Sequence, residues 1–383
     1  MKFVFWIFAA GFFYIYVGYP LLIWILARLR GRPIAKAPFE GRFSILIAAH
    51  NEADNLPGKI KSILESTAVA RIDEIVIASD GSDDATADVV RDLKCYLVRP
   101  VEFKERRGKA AVLNDVLPAC KAEIVVLMDA RQAVHPSALE ELASNFSDPS
   151  VGAVSGELVF QKPGSEFTDT EKGMDAYWRY EKFIRKQESR FRSVPGATGA
   201  LYAIRKNLFL PFPAETILDD VAIPMCIVRQ GFRCVFEEKA LVYDRPSSTP
   251  SQESIRKRRT IAGNAQLAGL WPWLLNPLQN PIWFEFVSHK LARLLSPFLL
   301  LGLICSNLFL WNQPLYSLTI AGQIIFYTLT FLPQFGSAPR MFAVLNITAV
   351  LAIWDAMRGK YTVKWEISSQ GAKRQGSDAR REA

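Results

Sequence analysis

The sequence predicts an α/β protein: a mostly parallel sheet with helices on both faces, held between N-terminal and C-terminal transmembrane helices. Three observations predict it. Short apolar runs alternate with amphipathic stretches between residues 43 and 146. Two stretches, 3–27 and 294–339, contain no charged side chain. Three of the short apolar runs end in polar or acidic residues. With 50% apolar and 22% charged residues, the 383-residue chain has ample material for a core and is not a mostly disordered polymer. Cys95, Cys120, Cys226, Cys234 and Cys305 are odd in number and form no CxxC pair. That pattern excludes a disulfide scaffold or a cysteine zinc site and fits a reducing compartment. The net charge of +8 sits largely at the borders of the apolar stretches, a membrane pattern rather than a nucleic-acid-binding face.

Taken in order, residues 1–32 read as an anchor. The uncharged stretch 3–27 exceeds the ~20 residues a bilayer-crossing helix needs and is too long for a signal-peptide core of ~7–15. One Lys precedes it, and Arg28, Arg30 and Arg32 follow in place of a cleavage site. Those arginines predict that the domain after the anchor, 33–250, faces the cytoplasm from the inner (plasma) membrane.

Within that domain, Phe43–Ala49, Glu74–Ser79, Cys95–Arg99 and Glu123–Met128 read as buried strands. Helical patterns over 53–67, 84–92, 108–117 and 136–146 separate them, which implies βαβ units. Ligands of such sheets bind beyond the carboxyl ends of the strands. The first strand ends in Ala48-Ala49-His50-Asn51-Glu52, the second in Asp80-Gly81-Ser82-Asp83-Asp84, and the fourth in Asp129-Ala130-Arg131. Asp83 or Asp84 is expected to cap the helix that follows. Asp80 and Asp129 form an acidic edge that would repel a phosphate ligand unless a divalent cation, Mg²⁺ or Mn²⁺, lies between them.

Residues 251–290 contain a basic element, Arg256-Lys257-Arg258-Arg259. After it, 263–289 carry Trp271, Trp273 and Trp283 among prolines, as expected of amphipathic helices in the headgroup zone. Residues 291–357 hold two or three transmembrane helices: 291–311, 315–333 after the turn at Asn312-Gln313-Pro314, and the 14 uncharged residues Met341–Trp354. At ~1.5 Å per residue the last makes only ~21 Å of helix. The tail, 358–383, carries seven Lys or Arg against three Asp or Glu and is expected to be disordered. An even number of C-terminal spans keeps this basic tail inside; three would place it outside.

The strand-end motifs resemble those of family 2 glycosyltransferases with the GT-A nucleotide-diphospho-sugar fold, in particular the membrane-integrated branch of cellulose, chitin and hyaluronan synthases. The resemblance covers about residues 40 to 300. It rests on AAHNEADNL (48–56), DGSDDAT (80–86), GKAAVLN (108–114), MDAR (128–131), GATGALYAIR (196–205) and LDD (218–220). It implies that Ala48, His50, Asn51, Glu52 and Asp80 form a uridine-binding wall and that Lys109 lies near the diphosphate. Asp129 resembles the first, metal-binding member of a DxD motif whose third position is here Arg131. Asp219 and Asp220 resemble the TED or GDD element, with Asp220 as the general base of an inverting transfer. Gly196, Ala197, Thr198 and Gly199 resemble the acceptor-binding segment. Arg256, Arg259 and Thr260 occupy the places of a QxxRW element: Arg259 keeps the clamp for the departing diphosphate, Arg256 joins the nucleotide-sugar contacts, and the aromatic platform is gone.

The function implied is transfer of a sugar from a nucleotide-sugar donor, UDP-linked, to a growing glycan. Two other readings stand beside it. One is transfer of a single sugar to a lipid acceptor, such as a polyprenyl phosphate or a ceramide-like alcohol. The other is a weakly active nucleotide-sugar-binding subunit of a synthase.

Overall fold

The computed structural model describes residues 1–160, 169–244, 250–332 and 337–358, with side chains described at 1–160, 177–244, 258–332, 339–355 and 358. The tail from 359 onward and the side chain of Arg256 lie outside the described residues. Helix α1 (Lys2–Phe13) passes through a π turn (Tyr14–Gly18) into α2 (Tyr19–Arg30). There follow β1 (Phe43–Ala49), α3 (Leu56–Leu64), β2 (Ile72–Asp80), α4 (Thr86–Asp92), β3 (Val98–Phe103), α5 (Lys109–Val116), β4 (Ile124–Met128) and the two-residue β5 (Ala133–Val134). Next come α6 (Ala138–Ser144), β6 (Val151–Phe160), α7 (Asp169–Phe191), β7 (Tyr202–Arg205), α8 (Asp219–Arg229) and β8 (Arg233–Asp244). The chain then runs through α9 (Pro250–Leu270), α10 (Trp283–Phe286), a second π turn (Val287–Leu291), α11 (Ser296–Leu308), α12 (Pro314–Leu329) and α13 (Ser337–Met357).

The strands form one sheet in the order β3-β2-β1-β4-β7-β6-β8-β5. β1 is buried at all seven positions because helices cover both faces. Its side chains alternate across the sheet. Phe43, Ile45, Ile47 and Ala49 meet Leu56, Ile60 and Ile63 of α3 and Leu139 and Leu142 of α6. Leu46 and Ala48 meet Val112 and Leu113 of α5 and Val221, Ala222 and Met225 of α8. Each Val, Leu, Ile, Phe or Met side chain among them contributes roughly 1.5–3 kcal/mol on burial. The parallel ladders β3-β2-β1-β4 bring the ends of β1, β2 and β4 to one edge, as the strand patterning requires. β7 then runs antiparallel to both β4 and β6, which makes the sheet mixed.

Several element boundaries differ from those expected. The third strand begins at Val98 rather than Cys95, because the amide of Val98 first closes a turn onto the carbonyl of Cys95 at 3.0 Å. It is an edge strand, so Pro100 is tolerated at its exposed position. Strands β5 to β8 and the long helix α7 add to the elements that the sequence predicts. The helix expected to begin at 291 is continuous from Trp283 to Leu308, so the proposed boundary at 290/291 cuts through it. The short segment at 341–354 is the middle of the 21-residue α13. Among the described residues, Lys2–Arg30 and Trp283–Leu308 are long and apolar enough to cross a bilayer, and Pro314–Leu329 is a shorter apolar helix. α2 packs on α7, α1 on α11, and α13 on both α7 and α9, so the flanking helices are joined to the sheet domain through α7.

Candidate active site

The loops after β1 and β2 are tied into one unit. Asn51 adopts φ 56°, a left-handed conformation that Asn tolerates better than most residues. Its Oδ1 accepts the amide of Asp83 at 2.8 Å, and its own amide donates to Ser82 Oγ at 3.2 Å. His50 Nδ1 lies 2.7 Å from the carbonyl of Asp80, and the amide of Glu52 donates to Thr86 Oγ1 at 2.9 Å. Neither Asp83 nor Asp84 is the N-cap of α4, which is Ala85; Asp84, one residue earlier, accepts the amide of Thr86 at 2.9 Å. Ala48 is buried beneath this network. Burial raises the pKa of Glu52 above the ordinary value, and the nearby charge of Asp129 adds to the shift.

Asp80, 2% exposed, turns its carboxylate onto the next loop. Its oxygens accept the amides of Arg107 at 2.7 Å and Gly108 at 2.8 Å. Gly108 has φ 93°, which a side chain would strain, and it leads directly into Lys109 at the start of α5. Asp80 thereby aims Lys109. The ammonium of Lys109 lies 2.9 Å from Asp129 Oδ1 and 3.2 Å from Asp219 Oδ2, joining the ends of β4 and α8. Burial alone would depress the Lys109 pKa, but the carboxylates of Asp129 and Asp219 hold it above its usual value.

Asp219 and Asp220 open α8, where the helix N-terminus favours negative charge. The hydroxyl of the fully buried Tyr202 donates to Asp219 Oδ2 at 3.0 Å. Asp220 Oδ2 accepts the amide of Gly199 at 3.0 Å. Pro224, four residues on, has no amide to give the carbonyl of Asp220, and the amide of Ala197 takes that carbonyl at 2.7 Å. Residues 197–199 are thereby laced onto the start of α8. A Cβ placed on Gly199 would lie 3.4 Å from Asp220 Oδ2 and 3.6 Å from Asp129 Oδ2. The two carboxylates therefore face one space, which a glycine leaves open. Gly196, at φ 133°, brings the segment against Val221.

Burial raises the pKa of Asp220 to about 6, with Asp219 adding to the rise and Lys109 and Lys290 opposing it. Arg259 of α9 stands in the field of Asp219, Asp129 and Asp220; burial lowers its pKa and the three aspartates hold it up. Its Nε is buried without a hydrogen-bond partner among the described residues, a donor left for a ligand to satisfy.

Arg131 turns away to pair with Asp244 at the end of β8, which also accepts Gln132 Nε2 at 3.2 Å. The third position of the expected DxD motif is thus a half-buried brace between the end of β4 and β8. Lys59, buried in α3 with its ammonium 2.9 Å from the carbonyl of Gln132, lies under the same loop. Burial lowers its pKa to about 7, and Asp129 and Asp244 resist the fall. Lys59, Asp244 and Lys290 lie outside every motif, and Tyr202 sits within GATGALYAIR (196–205) with no role that the motif assigns to it; each reaches the site through tertiary packing.

Residues 44–210 match the Glycosyl transferase family 2 profile. Over that stretch, from β1 to the residues just after β7, the chain is similar to family 2 glycosyltransferases. Relatives of the chain include the poly-beta-1,6-N-acetyl-D-glucosamine synthases of Staphylococcus aureus strain MSSA476, 24% identical over 207 residues, and of Staphylococcus epidermidis strain RP62A, 27% identical over 205. These alignments cover 52% of this chain and 49% of each relative, so the chain spans about half the length of the curated relatives it matches. A mannosyltransferase from Pyrobaculum calidifontis, solved with GDP-Man and Mn²⁺, superposes with a TM-score of 0.71 at 21% identity, covering 92% of this chain and 99% of that one. At that identity the likeness establishes the glycosyltransferase fold.

Among the described residues no group of three or more acidic, His or Cys side chains could cage a metal. Asp129 nevertheless suits a cation shared with a ligand. Lys109 occupies its Oδ1, while Oδ2 faces the open space over Gly199. One carboxylate completed by diphosphate oxygens and water is a normal setting for Mg²⁺.

Proposed function

We propose that this protein is an inverting membrane glycosyltransferase that moves a sugar from a UDP-linked donor to a growing glycan. The observation that carries the reading is the convergence of Asp129 and Asp220 on the space over Gly199, with Lys109 and Arg259 as the facing cations. Asp220 is the general base. Its Oδ2 is held by the Gly199 amide, which leaves Oδ1 to take the proton of an acceptor hydroxyl. With a pKa near 6 it is ionised at neutral pH yet more basic than an ordinary carboxylate. As the acceptor oxygen bonds to the anomeric carbon, the bond to the diphosphate breaks on the opposite face, and Lys109 and Arg259 hold the departing charge. Asp129 Oδ2 would hold Mg²⁺ or Mn²⁺ together with the diphosphate; such an ion supplies Lewis-acid neutralisation of the leaving group. Asp80 sets the loop that aims Lys109, and the 50–52 and 80–86 loops border the nucleoside.

The helices Lys2–Arg30 and Trp283–Leu308 support a membrane-embedded enzyme, and Arg28, Arg30 and Arg32 support a cytoplasmic catalytic domain. One observation favours the second acceptor class. Thr260 is exposed on α9 where the polymerising synthases present an aromatic platform, which suits transfer of one sugar to a lipid acceptor. The test is to incubate the purified full chain with a panel of UDP-sugars, measure UDP release, and weigh the products. A ladder of products supports the glycan reading, a single addition supports the lipid acceptor, and no turnover of any nucleotide-sugar refutes both.

A further inference from the structure

The segment 197–199 has a second anchor besides α8, and its side chains lie outside every motif of the site. The amide of Thr198 donates to Ser155 Oγ at 3.0 Å. Ser155, fully buried on β6, also accepts Arg185 Nη2 at 2.5 Å and donates to the carbonyl of Gly156 at 3.1 Å, so its hydroxyl is saturated. The pairing of β6 with β8 loses register between Ser155 and Glu157. At that break a Cβ on Gly156 would come within 2.7 Å of the carbonyl of Ala240. The irregularity sets Ser155 between α7 and the loop.

Arg185 is fixed from α7 in turn, its guanidinium 4.5 Å over the ring of Phe236. It lies four residues after Glu181 and three before Glu188, so the three share one helix face. Glu181 and Glu188 hold the two ring nitrogens of the buried His289, at 3.0 and 2.8 Å. Tyr19 of α2 donates to Glu188, and Arg293 pairs with Glu181. The face of α7 that grips the flanking helices is thus the face that sends Arg185 to the loop.

Resting on the transferase reading above, we infer that Arg185 and Ser155 are positioning residues for the acceptor segment. They hold the Thr198 amide so that the next amide, Gly199, keeps Asp220 in its working orientation. α7 makes this hold depend on the docking of α2 and the Val287–Leu291 turn. Neither residue touches the reacting atoms. The hydrogen bond from Arg185 joins a charged donor to a buried acceptor, the kind whose loss is felt most.

The test uses the full chain with Ser155→Ala, Arg185→Met and Arg185→Lys, reading amide hydrogen exchange by mass spectrometry, UDP affinity and turnover. Ser155→Ala and Arg185→Met should speed exchange in the peptide covering 196–201 and lower kcat about tenfold while UDP affinity stays within twofold. Arg185→Lys, which keeps the charge, should recover most of the loss. Unchanged exchange at 196–201 in both Ser155→Ala and Arg185→Met overturns the inference, as does a fall in UDP affinity in step with kcat. If the wild-type chain turns over no nucleotide-sugar, the transferase reading fails while the exchange data still decide whether Ser155 and Arg185 hold the loop.

Discussion

Asp220→Asn separates the chemistry of the site from its architecture. The substitution keeps the shape and leaves an oxygen to accept the Gly199 amide, but it removes the proposed base. Loss of a general base costs about 10²–10⁴ in rate, or ~3–5 kcal/mol of transition-state stabilisation. Stability should move the other way. Burial beside Asp219 raises the Asp220 pKa from 3.8 to about 6, so ionising it in the folded protein costs on the order of 3 kcal/mol at most. Because the folded pKa lies above the unfolded one, Asp220 supports the fold fully below pH ~4, and that support is lost as pH rises through ~6. The asparagine variant should therefore melt no lower than the wild type at pH 8, and any advantage should vanish toward pH 4. The assays are UDP release with acceptor present, UDP affinity by calorimetry, and melting at both pH values. Wild-type turnover should rise through pH ~6 with the ionisation of this carboxylate. Turnover retained within tenfold, or UDP binding lost together with turnover, would refute the assignment of Asp220 as base.

Other substitutions probe the rest of the site. Lys109→Met leaves Asp129 and Asp219 without their shared cation; it should destabilise by about 3 kcal/mol in denaturant titrations and weaken UDP binding. Gly199→Val fills the space between Asp129 and Asp220 without backbone strain, so melting should change little while turnover falls about a hundredfold; normal turnover would mean the reacting atoms lie elsewhere. Chelation of divalent ions should abolish turnover, and Mn²⁺ titrated in a spin-resonance assay should bind with UDP present and not without it, because the described residues supply too few ligands alone. Mn²⁺ binding of equal strength without UDP would contradict that account.

Much of the site could be read locally. His50 and Asp129 follow, and Asp80 ends, strands marked by apolar runs, and a parallel sheet must deliver such ends to one edge. The place of Asp80 at a strand end was legible, but its partners were not. The amides it accepts belong to Arg107 and Gly108, more than 25 residues away, in a loop whose conformation depends on a positive φ. Arg131 was legible only as a missing carboxylate; its partner Asp244 ends a strand that no alternating pattern announced.

By itself the sequence determined the buried parallel core, the apolar flanks and the identity of the acidic edge, because each follows from the period or composition of a short stretch. Only the tertiary structure decided which oxygens remain open. That Lys109 covers one oxygen of Asp129, that Pro224 frees the Asp220 carbonyl for Ala197, and that Ser155 stands between α7 and Thr198 are each matters of distance between remote segments. A hydrogen bond is satisfied by whichever partner packing brings within about 3 Å, and nothing in the local pattern names that partner.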